Sequence, residues 1–152
     1  MTPQQRSLTK LRHLGYVVET VEKWQRFPKG FPCPRCQQRP VISVRRDLFG
    51  YVDILALGKG ETLLVQVTSG SNHASRVEKI LNDPQVSVTA LKCLKAGARI
   101  FVHSWAKKGL RGEAKHWTLR SEEITEGMVS TIAHCALAAE LPPQMELIAQ
   151  TV

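Results

Sequence analysis

Two periodicities of hydrophobic and polar positions run through this chain, and they predict its helices and strands. Leucines at three-residue intervals predict a helix over residues 3–14, which Gly15 would end. The β-branched and aromatic run from Tyr16 to Val21 predicts a strand. Further strands are predicted at residues 41–44, 51–57, 61–68, 98–105 and 116–119, and further helices around Val77–Leu81, from Pro84 to about Ala96, and from Ser121 to Leu141. This order predicts a mixed α/β domain with helices on a central sheet.

One segment breaks both periodicities. Residues 27–40 contain four prolines, one glycine and two cysteines. Because proline fixes φ and removes a backbone donor, this segment is predicted to be a loop, or a knuckle held by something other than strand pairing. We therefore expect a single domain over residues 1–152, with a Pro- and Cys-rich loop inserted at about 27–40.

The charge of the chain is concentrated near its N-terminus. The 152 residues carry a formal charge of +8, and residues 1–50 hold ten Lys or Arg but only three Asp or Glu. This bias suits a polyanionic partner, nucleic acid first, although a solvated basic surface explains the charge alone equally well. The globular composition excludes wholesale disorder, collagen and coiled coil. No window of about 18 apolar residues is present and the N-terminus is too polar for a secretory signal, so we expect a cytoplasmic protein with reduced thiols.

Three polar residues stand out in a predicted hairpin. Asp53 is a carboxylate inside an apolar strand, where an ionised group is costly to bury unless it is paired or binds a metal. The alternative is a carboxylate at a strand end that caps a neighbouring loop. Gln66 and Thr68 lie two apart in the next strand and share one face. Leu63, Val65 and Val67 take the opposite face, which is predicted to be the core. If Lys59-Gly60 forms a two-residue turn, Asp53 lies opposite Gln66. A three-residue turn would place Asp53 opposite Val65 and separate the three polar groups.

The segment RRDLFGYVDILALGKGETLLVQVTSGSN resembles the core of the PD-(D/E)XK nuclease superfamily, in which an Asp enters one strand and Glu/Asp-x-Lys follows on the next. It is most similar to the small Holliday-junction-resolvase-like branch and to related phage and mobile-element endonucleases, and the similarity covers roughly Thr9 to Leu119. The resemblance implies a restriction-endonuclease-like fold, which is a mixed β-sheet core flanked by helices. It also implies Mg²⁺- or Mn²⁺-dependent hydrolysis of DNA phosphodiester bonds, branched DNA as the substrate class, and a homodimer.

In this resemblance Asp53 corresponds to the metal-binding aspartate. Gln66 stands at the acidic position of the second half-motif, and Thr68 stands where the family usually has lysine. A glutamine still offers Mg²⁺ a carbonyl oxygen without charge, whereas a threonine cannot replace an ammonium group. Asp47 would supply the second negative charge after a turn that Gly50 permits. We therefore expect catalytic roles for Asp47, Asp53, Gln66 and Thr68, and metal binding by Asp53, Asp47 and Gln66.

Basic residues near the hairpin are expected to contact phosphates. Arg45 and Arg46 adjoin Asp47 in the sequence, and Arg76 and Lys79 share one face of the following helix. Either of the latter two would offer the positive charge that Thr68 lacks. Each pair taken alone also suits an ordinary solvated face.

Other acidic positions are weaker matches to the family. Glu19 and Glu22 on the first strand are a further source of a carboxylate. The helix-1 acid of the resolvase-like branch has no counterpart, and Gln4 and Gln5 lie in that region.

The C-x-x-C pair of Cys33 and Cys36 has the spacing of half a zinc ribbon. A structural zinc site needs four ligands, so distant residues or a second subunit would have to complete it. A plain loop is the main alternative, and a redox pair fits less well because the motif lies in a Pro-rich loop.

These observations lead to a metal-dependent DNA endonuclease as the first hypothesis. The missing Glu and Lys favour, as an alternative, a catalytically impaired nuclease-fold module that binds nucleic acid. A third hypothesis is an enzyme or partner-binding domain unrelated to nucleic acid. Binding that does not depend on salt would distinguish the third, because phosphate contacts release counterions.

Overall fold

The structure is a computed structural model that describes residues 1–28, 30–39, 41–109, 111, 112 and 114–140, with only the backbone of Gln25, Phe27, Arg45 and Glu140. The helices of this part are α1 (Pro3–His13), α2 (His73–Asn82), α3 (Pro84–Lys95) and α4 (Thr131–Glu140). Its strands are β1 (Val17–Thr20), β2 (Lys23–Pro28), β3 (Val41–Arg46), β4 (Ile54–Gly58), β5 (Glu61–Ser69), β6 (Arg99–Lys108) and β7 (His116–Ile124). None of the helices in the described part combines the length and apolar composition that crossing a membrane requires.

The central sheet has five strands in the order β1-β4-β5-β6-β7. All neighbouring pairs are antiparallel except β5 and β6, which run parallel. A parallel pair needs a long crossover, and α2 and α3 provide it. The strands β2 and β3 form a separate two-stranded antiparallel sheet. The protein is thus an α/β domain with a mixed sheet flanked by helices, as the sequence predicts.

Helices cover both faces of the central sheet. On one face, Leu11 of α1 packs in a buried cluster with Ile54 and Val65. On the other face, α2, α3 and α4 pack in a larger cluster that includes Leu64 and Ile80. Burial of apolar surface on both sides therefore holds the sheet in the middle of the molecule.

The prediction of a single core face is wrong. Leu63 and Val65 are buried under α1 as expected, and Val67 packs at the edge of that cluster. Leu64, on the face of Gln66, is equally buried under the other helices. Period-2 alternation shows which residues share a face, but it cannot show that a nonlocal helix covers the polar one.

Two further elements differ from the prediction. Residues 121–124 continue β7 instead of starting a helix, because they pair with β6 as far as Ile124 opposite Ile100. α4 begins only at Thr131, and the predicted helix end at Leu141 lies outside the described residues. Strand β2 was not predicted; it borders the predicted loop, whose first two residues, Phe27 and Pro28, belong to it.

A buried histidine under α1 gives the fold a pH dependence. Burial, and secondly the nearby charge of Lys10, lowers the pKa of His103 to about 4. The Nε1–H group of Trp105 donates to Ser7 Oγ at 2.9 Å, and Ser7 Oγ lies 3.2 Å from Nδ1 of His103, which can accept its proton. Neutral His103 is therefore the form that the folded state accommodates.

We expect His103 to destabilise the protein as the pH falls. Above about pH 6.5, His103 is neutral in the folded and in the unfolded state. Below that pH the unfolded state takes up the proton first, because its pKa is higher. Stability is therefore lost as the pH falls to about 4. The loss attributable to His103 is about 3 kcal/mol. This loss is measured as the difference between the unfolding free energies of the wild type and His103→Gln, obtained by urea unfolding at a series of pH values. The contributions of the carboxylates are common to both proteins and cancel in this difference. Equal slopes in the two proteins would contradict this role.

Candidate active site

The β4–β5 hairpin has the register that brings Asp53 beside Gln66. Lys59 and Gly60 form its two-residue turn, both with positive φ, 54° and 74°, which is the geometry of a type I′ turn. In this register Gly58 lies opposite Glu61 and Ile54 opposite Val65. Of the two turn lengths that the sequence leaves open, the structure therefore has the two-residue turn.

Asp53 lies where β5 runs past the start of β4. The strand β4 begins at Ile54, so the N–H group of Val67 has no β4 residue to pair with. The Asp53 carboxylate takes this place, and its Oδ2 accepts hydrogen bonds from Val67 N at 2.7 Å and from Gln66 Nε2 at 2.6 Å. The Asp53 side chain, only 1 % exposed, is thereby held in one orientation.

The polar residues of the hairpin line one cleft of about 290 Å³. We call it the acidic cleft, and it is lined by Asp47, Asp53, Gln66, Val67, Thr68 and Arg76. All four residues predicted to be catalytic lie in it, together with one of the predicted phosphate-binding cations. Residues far apart in sequence thus meet at the end of β5.

Gln66 has an acceptor that the described residues do not satisfy. Its side chain is 3 % exposed, and its Nε2 donates to Asp53, but its Oε1 is buried with no hydrogen-bond partner among the described residues. Leaving a buried acceptor unmatched costs about 1–3 kcal/mol. A bound cation would remove this cost, and the oxygen atoms of Asp47, Asp53, Gln66 and Thr68 are the donor type that Mg²⁺ and Mn²⁺ prefer.

A tight turn positions Asp47 at the cleft. The N–H of Gly50 donates to the carbonyl of Asp47 at 3.1 Å, and Phe49 and Gly50 both have positive φ, 57° and 79°. Lys79 Nζ donates to the carbonyl of Gly50 at 2.8 Å. Lys79 therefore holds this turn and does not line the acidic cleft, whereas Arg76, one helical turn earlier, does.

Arg46, Glu19 and Glu22 do not line the acidic cleft. Arg46 is exposed at the end of β3, and the side chain of Arg45 lies outside the described residues. Glu19 is exposed on β1, and Glu22 accepts a hydrogen bond from Gln4 Nε2 at 3.2 Å.

Sequence reasoning missed an adjoining cleft of about 260 Å³ beside the start of α1. It shares Asp53, Val67 and Thr68 with the acidic cleft and adds Thr2, Pro3, Gln4 and Ser69. The sequence signal that could have indicated this cleft is the capping box of Thr2 and Gln5. It marks the N-terminal end of α1 and therefore the residues that lie at that end. Gln4 thus lies beside the hairpin in this cleft.

His73 lies buried between α2 and the sheet. Its Nε2 lies 2.8 Å from Oε2 of Glu122 on β7. This hydrogen bond, with a smaller contribution from Arg120, lowers the pKa of Glu122. His73 thus joins α2 to the sheet next to the site and does not line either cleft.

Cys33 and Cys36 lie in one turn of the loop between β2 and β3. The N–H of Gln37 donates to the Cys33 carbonyl at 2.8 Å, and the N–H of Cys33 donates to Gln38 O at 2.8 Å. Hydrogen bonds from the backbone N–H groups of Cys36 and Arg35 lower the pKa of the Cys33 thiol. No group of three or more His, Cys, Asp and Glu side chains able to hold a metal occurs in the described part, so zinc at this pair stays a prediction.

Comparisons of this chain with protein-family models, with curated proteins and with solved structures find no match. The functional conclusion therefore depends on the two clefts and on the residues around them.

Proposed function

We propose that this protein is a divalent-metal-dependent endonuclease that hydrolyses phosphodiester bonds in DNA, on a restriction-endonuclease-like fold. The observation that supports this most strongly is the acidic cleft, which combines two aspartates, the unsatisfied Gln66 Oε1 and Arg76. The resemblance of the hairpin to PD-(D/E)XK nucleases adds the substrate class, branched DNA, and a homodimeric assembly to the proposal.

In this proposal Asp53, Asp47 and Gln66 would hold a Mg²⁺ or Mn²⁺ ion. When bound, such an ion lowers the pKa of a coordinated water and neutralises charge on the phosphate. Asp53 contributes a carboxylate whose orientation is fixed by Gln66 and Val67. Gln66 would contribute the neutral oxygen, and Thr68 lines the cleft.

Arg76 compensates for the lysine that Thr68 replaces. Among the described residues it is the cation that lines the acidic cleft. It lies on α2, whereas Thr68, at the usual lysine position, lies on β5. A guanidinium donates hydrogen bonds to phosphate oxygens and stays charged, but it cannot accept a proton at neutral pH. Arg76 therefore binds and stabilises phosphate charge, and it does not activate the attacking water.

A cleavage assay tests this proposal. A four-way DNA junction and a linear duplex are incubated with the protein in Mg²⁺, in Mn²⁺ and in EDTA. We expect the junction to be cut with either metal and to stay intact in EDTA. Cleavage that persists in EDTA, or no cleavage under any condition, would contradict a metal-dependent nuclease.

The second candidate is a nuclease-fold module that binds DNA without cutting it. Thr68 in place of a lysine, together with Gln66 in place of a carboxylate, favours it specifically. Salt-dependent binding of both substrates with no product in either metal would support this candidate over the enzyme.

Neutralising Arg76 is expected to weaken transition-state stabilisation. We expect Arg76→Met to lower the rate of junction cleavage about 10-fold, since a hydrogen bond to a charged group is worth about 1.5–3 kcal/mol. Single-turnover cleavage in Mg²⁺ measures it. Arg12→Met removes the same charge from an exposed position on α1 and is expected to keep the wild-type rate. Equal rates for Arg76→Met and Arg12→Met would exclude this role.

A further inference from the structure

The two-stranded sheet outside the central sheet is the most basic part of the chain. We call β2, β3 and the residues between them, 23–46, the basic ribbon. Its sequence contains seven Lys or Arg and no Asp or Glu, against a formal charge of +8 for the whole chain. Nearly all the excess positive charge of the protein is therefore carried by this one element.

Aromatic side chains on the basic ribbon are exposed together with its cations. Trp24 is 68 % exposed and Phe31 is 94 % exposed. Arg26 lies two residues after Trp24 on β2, so the two share one face of the ribbon. Arg35 and Arg39 are exposed in the loop that follows. Cations interleaved with exposed aromatic rings are the composition of nucleic-acid-binding surfaces.

The charge of the basic ribbon decides between partners. A second copy would bring two strongly positive ribbons together, and like charges facing each other oppose association. An apolar partner would have to desolvate the same cations without pairing them. A polyanion pairs with the cations and covers the aromatic rings at the same time.

The basic ribbon leads directly to the acidic cleft. β3 ends at Arg46, and the next residue, Asp47, lines the cleft. DNA that contacts the Arg46 end of β3 would therefore lie close to the carboxylates.

We propose that the basic ribbon is a DNA-binding element that holds the phosphate backbone beside the acidic cleft. The choice of DNA as the polyanion rests on the proposed function. A two-stranded ribbon is narrow enough to enter the major groove, and its cations contact the flanking phosphates. Trp24 and Phe31 supply stacking surfaces for the unpaired bases that a branch point exposes.

Three substitutions at exposed ribbon positions test this role. The ribbon variant is Arg26→Gln, Arg35→Gln and Arg39→Gln combined; the matched control combines Arg12→Gln, Lys92→Gln and Lys95→Gln, which remove the same charge from α1 and α3. Fluorescence anisotropy in EDTA, with a labelled four-way junction and a labelled duplex, gives Kd as a function of salt. We expect the ribbon variant to bind at least about 10-fold more weakly and the slope of log K against log salt to shrink by about 3.

The outcomes separate this inference from the proposed nuclease activity. Equal Kd and equal salt slope in the ribbon and control variants would overturn the ribbon role, even if the wild type cuts DNA. Weaker binding by the ribbon variant alone supports the role, even if no cleavage occurs in any metal. The charge-preserving triple Arg→Lys variant is expected to bind like the wild type, and a loss of binding there would overturn the electrostatic explanation. Where cleavage occurs, we expect the ribbon variant to raise KM and to keep kcat.

Discussion

Replacing Asp53 by asparagine is expected to lower metal-dependent cleavage of a four-way junction at least ~100-fold. The substitution removes the charge of the carboxylate that Gln66 and Val67 hold in the acidic cleft. Asparagine keeps the size of the side chain, and its carbonyl oxygen still accepts the hydrogen bond from Val67 N. The loss therefore reports on the charge at the site. Single-turnover cleavage in Mg²⁺ and in Mn²⁺ measures it.

The control for this experiment is Asp83→Asn. Asp83 is the N-cap of α3, and its side chain accepts hydrogen bonds from Gln85 N and Val86 N outside the cleft. Asparagine is as good an N-cap, so we expect stability and cleavage close to wild type. The Asp53→Asn protein is also expected to bind the junction within a few-fold of wild type in EDTA. If Asp53→Asn kept more than about a tenth of the wild-type cleavage rate, Asp53 would have no role in the mechanism.

Replacing Gln66 by glutamate is expected to make stability depend on a divalent metal. Gln66 Nε2 donates to Asp53 Oδ2 at 2.6 Å, and glutamate places a second carboxylate oxygen there. Two buried carboxylates in contact repel, or one of them takes up a proton. We expect the unfolding free energy in EDTA at neutral pH to fall by about 3–5 kcal/mol, the cost of an uncompensated buried charge. Mg²⁺ or Mn²⁺ should restore most of it, because the cation pairs with both carboxylates.

Urea unfolding in EDTA and in each metal measures this linkage. Gln85→Glu introduces the same charge at an exposed position in the first turn of α3, and we expect a stability change below about 0.5 kcal/mol with no metal dependence. If Gln66→Glu were equally stable in EDTA and in metal, the acidic cleft would not be a cation site. This readout does not require any nuclease activity.

The hairpin and its polar residues could be predicted because the information is local. Positive-φ turn chemistry at Lys59-Gly60 sets the register, and alternation along β5 then assigns Gln66 and Thr68 to one face. The same register places Asp53 opposite Gln66, so Asp53, Gln66 and Thr68 are predicted to lie together. The same local argument identified Asp47 through the turn at Gly50.

The remaining parts depend on contacts between distant segments. Gln4 and Thr2 reach the site because α1 packs on the sheet, and no spacing within residues 1–14 shows that. Residues 121–124 have side chains compatible with a helix, but pairing with β6 makes them a strand. Tertiary contacts override weak local propensity in such segments.

The exposed turn between β4 and β5 has a consequence for how this protein can vary. Surface turns ordinarily tolerate insertions. If one residue were inserted after Lys59 and the two-residue turn were kept, Gly58 would pair with Gly60, and Val65 instead of Gln66 would lie opposite Asp53. The polar side chains of β5 would then face away from a site six positions from the turn, although no residue of that site had changed. The length of this turn is therefore a condition of the site, in addition to the identity of its carboxylates.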